Sequence, residues 1–165
     1  MTTLKMPKVD RKILKDKEKI VKDICYFTKR KNILSEPEEL KPYETDGLTA
    51  YKQTPMLVVL PETTQEVSKI LSYCNKKKIK VVPRGAGTGL AGSALPLADC
   101  VLLGLGKFNK ILEKDYKNRC VVAQPGVTNL AITNAVEDNG FYYAPDPSSQ
   151  IACSIGGNVA ENSGG

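Results

Sequence analysis

The sequence contains no histidine, and aromatic residues make up only 6% of its 165 residues. Because histidine is the usual general base near neutral pH and the commonest metal ligand, its absence excludes histidine-dependent catalytic triads and histidine-ligated metal sites within this sequence. No apolar run approaches the ~18 residues of a membrane-spanning helix, and the lysine-rich start lacks the apolar stretch of a secretory signal. We therefore expect an intracellular protein without a membrane span, either cytoplasmic or peripheral to the inner membrane.

Cysteine is sparse, and its spacing suggests no pairing. The five cysteines are an odd number, and no two of them form a Cys-x-x-Cys motif, so the sequence supports neither a zinc knuckle nor a disulfide framework. They are Cys25, Cys74, Cys100, Cys120 and Cys153. We expect five free thiols and no bound metal.

The net charge of +6 is concentrated near the amino terminus. Residues 1–31 hold 11 Lys and Arg against 4 Asp and Glu, which leaves 13 against 14 for residues 32–165. Only the amino-terminal segment could make an electrostatic approach to acidic lipid, nucleic acid or a partner, and the simpler interpretation is a solvated helix face. We expect no nucleic-acid partner.

Apolar residues at helical spacing predict an amphipathic helix from Asp10 to Arg30, packed on the body of the protein. This basic helix and a linker form the first predicted region, residues 1–40, and residues 41–165 form the second. Pro and Gly residues predict irregular chain over 35–55. The inward stripe of the helix is expected to consist of Ile13, Leu14, Ile20, Val21, Ile24 and Phe27.

A βαβ unit is predicted next. Met56 to Leu60 is a short apolar run typical of a buried strand, and Ile79 to Val82 is a second one. Between them, Thr63 is expected to cap a helix, with Glu66 completing a capping box. The inward stripe of that helix is expected to consist of Val67, Ile70, Leu71 and Cys74.

The rest of the chain is predicted to contain two more strands and one more helix. The strands are Val101 to Leu105 and Cys120 to Ala123, and the helix runs from Thr128 to Asn139. Gly140 is expected to end the helix in the left-handed conformation. From Tyr142 onward, Gly, Pro, Ser and Asn predict a loop system.

The most unusual segment follows the second strand. It reads Pro83-Arg84-Gly85-Ala86-Gly87-Thr88-Gly89-Leu90-Ala91-Gly92 and holds four glycines in its last eight residues. Glycine permits positive φ and close backbone approach, so such a turn can direct successive N–H groups at one anion. Arg84 adds a charge at the edge, and Thr88 can donate its hydroxyl to a phosphate oxygen. A tight turn without a ligand is the alternative, although ordinary turns need fewer glycines.

Residues 87–92 satisfy the GxGxxG pattern of dinucleotide-binding Rossmann folds, in which a helix begins within the motif. Pro96 would disrupt that helix, and Leu105 is followed by no acidic residue for a ribose. A P-loop also fails, because no Gly-Lys-Ser/Thr follows. An NAD-type Rossmann module stays a minor alternative, which flavin absorbance on purification would separate from FAD binding.

The segment 81–90 closely resembles the FAD loop of the vanillyl-alcohol-oxidase or PCMH-type flavoprotein superfamily. Further stretches resemble the glycolate oxidase D subunit and its D-lactate dehydrogenase relatives, and they span 42–51, 124–130, 143–149 and 156–165. The resemblance covers nearly everything after residue 40. It implies an α+β fold, a PCMH-type FAD-binding domain with two α/β subdomains that is truncated at its carboxyl end.

The resemblance also implies FAD bound between the subdomains. The residues expected on the pyrophosphate are Pro83, Arg84, Gly85, Ala86, Gly87, Thr88, Gly89 and Leu90. Those expected near the flavin and the rest of the phosphate site are Pro145, Asp146, Ser149, Ser154, Ile155, Gly157, Asn158, Asn162 and Gly164. Gly156 and Gly165 are expected to add close backbone approach to this stretch.

Two departures from the family pattern bear on the cofactor. Relatives commonly have two adjacent glycines where this chain has Gly92-Ser93, which could tighten the loop without removing its amides. Relatives that tether FAD through histidine cannot serve as guides, so we expect noncovalent FAD. Cys153 is a conceivable attachment point, although a buried core thiol is the better interpretation.

Oxidising a 2-hydroxy acid requires a base for the hydroxyl proton and a cation for the carboxylate. In the relatives these residues lie largely beyond the segment that this chain matches. We therefore expect the amino-terminal part of a longer FAD-dependent glycolate or D-lactate dehydrogenase, without catalytic residues and inactive alone. It would act with partner subunits or its missing carboxy-terminal half. The alternative is the product of a decayed or split gene that binds flavin weakly or assists a partner chain.

Overall fold

The computed structural model describes residues 6–165, so residues 1–5 of the predicted region 1–40 lie outside the described residues. Over the described range, the strands form one four-stranded sheet and one two-stranded sheet, and helices precede, connect and follow them. The longest helix there has 14 residues, and no helix in this range is long and apolar enough to cross a membrane.

The basic segment forms two helices where one was predicted. They are α1 (Arg11–Lys15) and α2 (Lys17–Ile24). The break falls at Asp16, a residue type that favours helix ends over helix interiors. α2 ends well before Arg30, because the amide of Phe27 bonds to the carbonyl of Ile24 in a tighter turn.

The main sheet has the strand order β1-β2-β4-β3. The strands are β1 (Ile33–Leu34), β2 (Leu57–Val59), β3 (Lys80–Arg84) and β4 (Cys100–Gly104). β2, β4 and β3 run parallel, and β1 is antiparallel to β2. The three predicted strands are confirmed with slightly shifted ends, whereas β1 is too short to give a periodic pattern. Pro83 is accommodated because β3 is an edge strand.

The hydrophobic core lies between the sheet and the helices α2 and α4 (Thr64–Lys77). α4 connects β2 to β3, and β4 lies between those two strands, so the predicted βαβ unit is present. Buried core residues include Ile20, Ile24, Ile33, Leu57, Val59, Ile70, Cys74, Val101 and Leu103. The amino-terminal helix therefore packs on the body, as predicted. The proposed division at residue 40 stays a prediction.

Two residues predicted to point inward are exposed. Leu14 is 36% exposed, because the helix it belongs to ends at Lys15 and does not continue the stripe. Leu71 is 44% exposed, whereas Ile70 and Cys74 of the same helix, α4, are buried.

The start of α4 also differs in detail from the predicted capping box. Thr63 Oγ1 accepts the amide of Glu66 at 3.2 Å, as expected. The Glu66 carboxylate, however, accepts the amide of Glu62 at 2.6 Å and the hydroxyl of Thr28, not the amide of Thr63. The carboxylate of Glu66 therefore accepts the amide one residue before the predicted one, and the Thr28 hydroxyl bonds to the same carboxylate oxygen.

A short helix, α3 (Pro37–Leu40), and a 3₁₀ turn (Lys41–Tyr43) interrupt the segment 35–55 that was predicted to be irregular. Glu36 and Glu39 form a capping box around Pro37, which explains why so short a helix persists. Leu40 packs with Val58 and Leu102 on the second face of the sheet.

The carboxy-terminal part is built on a hairpin and two helices. They are β5 (Ile111–Asp115), β6 (Cys120–Ala123), α5 (Asn129–Val136) and α6 (Ile155–Ala160). The predicted strand β6, the predicted helix and the left-handed Gly140, with φ 74°, are confirmed. The helix begins one residue later than predicted, with Thr128 as its cap, and a 3₁₀ turn (Glu137–Asn139) replaces its end. β5 was missed because its middle residues are exposed and charged, and α6 because two glycines fall in its first turn.

Candidate functional site

The glycine-rich segment lies at the carboxyl edge of the parallel strands. It leaves β3 at Arg84, whose carbonyl accepts the amide of Leu105 at 2.9 Å, so the ends of β3 and β4 stay side by side. Ligands of open sheets bind in the crevice outside this edge of parallel strands. The segment therefore lies at the edge where ligands of such sheets commonly bind.

The amides of this segment are free. Within residues 6–165, none of the eight N–H groups from Gly85 to Gly92 donates a hydrogen bond to another group of the chain. These amides also lie beyond the end of β3 and take no part in strand pairing. Gly87 and Gly92 adopt φ values of 71° and 77°, which side chains rarely tolerate. Residues 85–92, called the amide loop below, therefore carry consecutive N–H donors without a partner among the described residues, as an anion-binding turn requires.

The second predicted stretch is brought against the amide loop. Ser154 caps α6 by accepting the amide of Gly157 at 3.4 Å. A Cβ placed on Gly85 would overlap Ser154 Oγ, so the loop begins in direct contact with the cap of α6. The two stretches are far apart in the sequence, and the fold joins them.

Asn158 lies on α6 behind this contact and carries a free donor. Its side chain is 8% exposed, and its Nδ2 has no hydrogen-bond partner among the described residues. A buried amide nitrogen without an acceptor costs free energy, so an acceptor supplied by a ligand would relieve it. FAD is rich in acceptor oxygens, and the free donors of Asn158 and the amide loop fit such a group.

The remaining predicted residues have structural partners of their own. The Asp146 amide donates to the Gly164 carbonyl at 2.9 Å, and the Ile155 amide donates to the Val127 carbonyl at 2.8 Å. The Pro145 carbonyl accepts from Asn129 Nδ2 at 3.2 Å, and the Ser149 carbonyl accepts two amides. The bond between Asp146 and Gly164 joins the two ends of the stretch 145–164, which contains α6. The bonds of Pro145 and Ile155 attach this stretch to residues 127–129.

Gly156 was expected to give close backbone approach to the cofactor, and its amide and its Cβ direction meet another part of the chain. Its amide donates to the Pro125 carbonyl at 2.8 Å, and a Cβ at this position would lie 2.6 Å from the Pro125 Cβ. The glycine is thus explained by packing against the turn after β6. Gly165 is likewise held against the backbone of Asp146, where a Cβ would lie 2.5 Å from the carbonyl carbon.

Arg84 is turned toward the segment 43–47 instead of the open side of the loop. Its Nη1 donates to the Tyr43 carbonyl at 3.2 Å, and its Nη2 donates to the Thr45 carbonyl at 2.6 Å. The guanidinium carbon also lies 5.8 Å from the centre of the Tyr43 ring. Burial lowers the pKa of Arg84, and the nearby Asp46 carboxylate opposes that shift. No site residue was predicted in this segment, although the stretch 42–51 carries part of the family resemblance and the Asp46-Gly47 pair is typical of a turn.

The thiols show no reactive centre in the described residues. All five cysteines are free, and Cys153 is 4% exposed, as expected of a core thiol. Burial raises the pKa of Cys74 and of Cys100 to about 11. No group of three or more Cys, Asp or Glu side chains in residues 6–165 could hold a metal ion.

Comparison with known proteins places the chain among flavoproteins. A family model described as an FAD binding domain matches residues 55–165. The glycolate oxidase subunit GlcD of Escherichia coli K12 is 57% identical over 133 residues, which is 81% of this chain and 27% of that protein. GlcD of Bacillus subtilis is 42% identical, covering 74% and 26%. The mitochondrial D-2-hydroxyglutarate dehydrogenase of Arabidopsis thaliana is 37% identical, covering 87% and 26%. The chain spans about a quarter of the length of these relatives.

Solved structures confirm the fold. An alkyldihydroxyacetonephosphate synthase matches with a TM-score of 0.78 at 21% identity, covering 99% of this chain and 32% of that one. A p-cresol methylhydroxylase with substrate bound matches with a TM-score of 0.73 at 25% identity, covering 93% and 30%. The predicted α+β, PCMH-type fold is therefore correct, and the chain corresponds to part of it.

Proposed function

Because the chain belongs to the FAD-binding domain family, we propose that it holds the pyrophosphate of FAD in an oxidoreductase acting on a 2-hydroxy acid. The observation that carries this proposal is the row of unpaired amides from Gly85 to Gly92. A pyrophosphate offers several anionic acceptor oxygens, and consecutive neutral N–H groups can bind them without burying a second charge.

The proposed contacts come from both stretches. The amides of residues 85–92 and the Thr88 hydroxyl face the pyrophosphate, and Asn158 Nδ2 donates to another acceptor of the cofactor. Ser149, Asn162 and Gly164 belong to the same proposed surface, on the side where the flavin would lie. Bound FAD would accept a hydride from substrate carbon. This chain binds and orients the cofactor.

The substrate class follows from the relatives. The names of these relatives contain glycolate, D-2-hydroxyglutarate or D-lactate. Each of the three compounds is a 2-hydroxy acid. The chain contains no histidine to remove a hydroxyl proton. We propose that the substrate-binding residues lie on polypeptide that this sequence does not include, and that the chain alone is inactive. Turnover of D-lactate or glycolate by the purified chain with FAD and an electron acceptor, above the background of free flavin, would refute that proposal.

The direct test is a titration of FAD into the purified chain, followed by quenching of flavin fluorescence. We expect saturable binding by the wild type and weaker binding by Gly89→Ala, which places a methyl group in the amide loop. The fold should tolerate this change, because a Cβ at Gly89 would meet only Ser93 Oγ at 3.9 Å.

Gly106→Ala is the matched control for this titration. Gly106 lies outside the amide loop, and a Cβ there would meet nothing within 4 Å. Equal FAD affinity in wild type and Gly89→Ala, or no binding by a folded wild type, would contradict the proposed site.

A further inference from the structure

We propose that Arg84 is a positioning residue that fixes the shape of the amide loop by clamping it to the segment 43–47, and that it does not act as a cation on the phosphates. The inference rests on the proposed FAD site, and it assigns a different task to the most prominent charge beside it. The anion is then held by neutral amides, and Arg84 determines where those amides point.

The clamp is a forked contact. The two ends of the guanidinium donate to the carbonyls of Tyr43 and Thr45, and the Tyr43 ring lies against the group at 5.8 Å. A planar guanidinium suits two acceptors in fixed geometry, which a lysine ammonium cannot match. Tyr43 is the last residue of a short 3₁₀ turn and Thr45 follows that turn, and the contact gives the carbonyl of each a charged donor.

Gly87 shows how the loop depends on this arginine. A Cβ at Gly87 would lie 2.6 Å from Arg84 Nε and 2.8 Å from Cζ. The guanidinium therefore fills the space that a side chain at position 87 would take, and the chain turns around it with φ 71°. Removal of the guanidinium leaves this turn without the surface on which it rests.

A second contact holds the far side of the loop on the same segment. A Cβ at Gly47 would lie 2.5 Å from the Thr88 carbonyl oxygen and 2.8 Å from the Gly89 carbonyl oxygen. Asp46, 5% exposed, accepts the amide of Leu48 at 3.0 Å and shapes the turn that brings Gly47 under the loop. The carbonyls of Thr88 and Gly89 thus face the supporting segment. Because a trans peptide directs its N–H opposite to its carbonyl, the amides of Gly89 and Leu90 point away from that segment.

The test compares FAD affinity of Arg84→Gln and Arg84→Lys at two salt concentrations. For a positioning role we expect both variants to bind about tenfold more weakly, because neither side chain can fork between two carbonyls. The ratio to wild type should be the same at roughly 0.1 M and 1 M NaCl, across which the screening length falls from about 10 to about 3 Å. Arg11→Gln is the matched control, since Arg11 is exposed on α1.

The opposite result is equally clear. Near-wild-type affinity of Arg84→Lys, or a defect of Arg84→Gln that shrinks as salt rises, would show that the charge acts on the phosphates and would overturn the inference. Near-native circular dichroism of each variant shows that an affinity loss is not global unfolding.

A second measurement needs no cofactor. Elastase cleaves after small residues, and the amide loop offers it Ala86 and Ala91. We expect Arg84→Gln without FAD to be cut in this loop about tenfold faster than the wild type, because the loop loses its support. An unchanged rate would overturn the inference. A folded wild type that never binds FAD refutes the proposed function instead, and elastase alone then decides the role of Arg84.

Discussion

A Cβ on Gly85 would overlap Ser154 Oγ and would lie 3.5 Å from Ser154 Cβ. This contact joins the first residue of the amide loop to the cap of α6. Any side chain at position 85 must therefore displace the serine that caps the helix.

Gly85→Ala is expected to destabilise the chain by about 1–3 kcal/mol, the usual cost of overpacking a filled position. Ser154→Ala alone should cost about 1 kcal/mol through the lost cap. Because alanine at 154 leaves room for the new methyl group, the double variant should lose less than the sum of the two. Urea unfolding of the four proteins measures this, and simple additivity would show that the contact is not formed.

Asn158→Asp should weaken FAD binding by about tenfold, because it replaces a buried free donor with a carboxylate facing an anionic cofactor. Asn158→Gln keeps the donor and is the matched comparison, although its longer side chain must be accommodated. Fluorescence titration gives both affinities. Wild-type affinity of Asn158→Asp would remove this residue from the proposed site.

Asp99 is expected to make stability depend on pH. It is 2% exposed and accepts Lys80 Nζ at 2.8 Å and the Asp10 amide at 2.7 Å. Burial opposes ionisation, but the hydrogen bonds from Lys80 and Asp10 together hold the pKa of Asp99 below its ordinary value. A depressed pKa stabilises the fold above the unfolded pKa of about 3.9, and the contribution is lost as pH falls through the folded value.

Asp99→Asn should therefore unfold at a lower temperature than wild type at pH 7, and the difference should shrink at acid pH. Asp138→Asn is the control, since Asp138 lies exposed on the 3₁₀ turn Glu137–Asn139 and its carboxylate accepts no hydrogen bond within residues 6–165. A difference that stays constant from neutral to acid pH would contradict the role given to the Asp99 carboxylate.

The thiols should differ sharply in reactivity. Cys120 is exposed, whereas Cys74, Cys100 and Cys153 are buried. Because burial also raises the pKa of Cys74 and Cys100, little thiolate is available there near neutral pH. We expect an aromatic disulfide reagent to modify Cys120 first in the native chain, and Cys120→Ala to lose that fast phase.

The same burial bears on flavin attachment. We propose that FAD is bound noncovalently, so acid precipitation of the loaded chain should release all flavin into the supernatant. Flavin retained in the pellet by wild type and released by Cys153→Ala would instead identify a thiol linkage.

Local patterns in the sequence were sufficient where a feature depends on neighbouring residues. The apolar runs of β2 and β4, the cap at Thr63 and the left-handed Gly140 follow from side-chain and backbone preferences within a few residues. The amide loop was found for the same reason, because its glycine density is itself the signal. β5 was not predicted because exposed charged residues mask its strand pattern, and α6 was not predicted because it contains two glycines.

The sequence by itself determined that a run of glycines follows a buried strand and can offer free amides to an anion. Only the tertiary structure decided what shapes and borders that loop, because Arg84, Gly47 and Ser154 meet it through contacts between segments far apart in the chain. From the sequence, a positive charge beside a phosphate-binding loop predicts a contact between that charge and the phosphate. The direction of the Arg84 side chain depends instead on which carbonyls the fold brings near it, and no local sequence pattern encodes that.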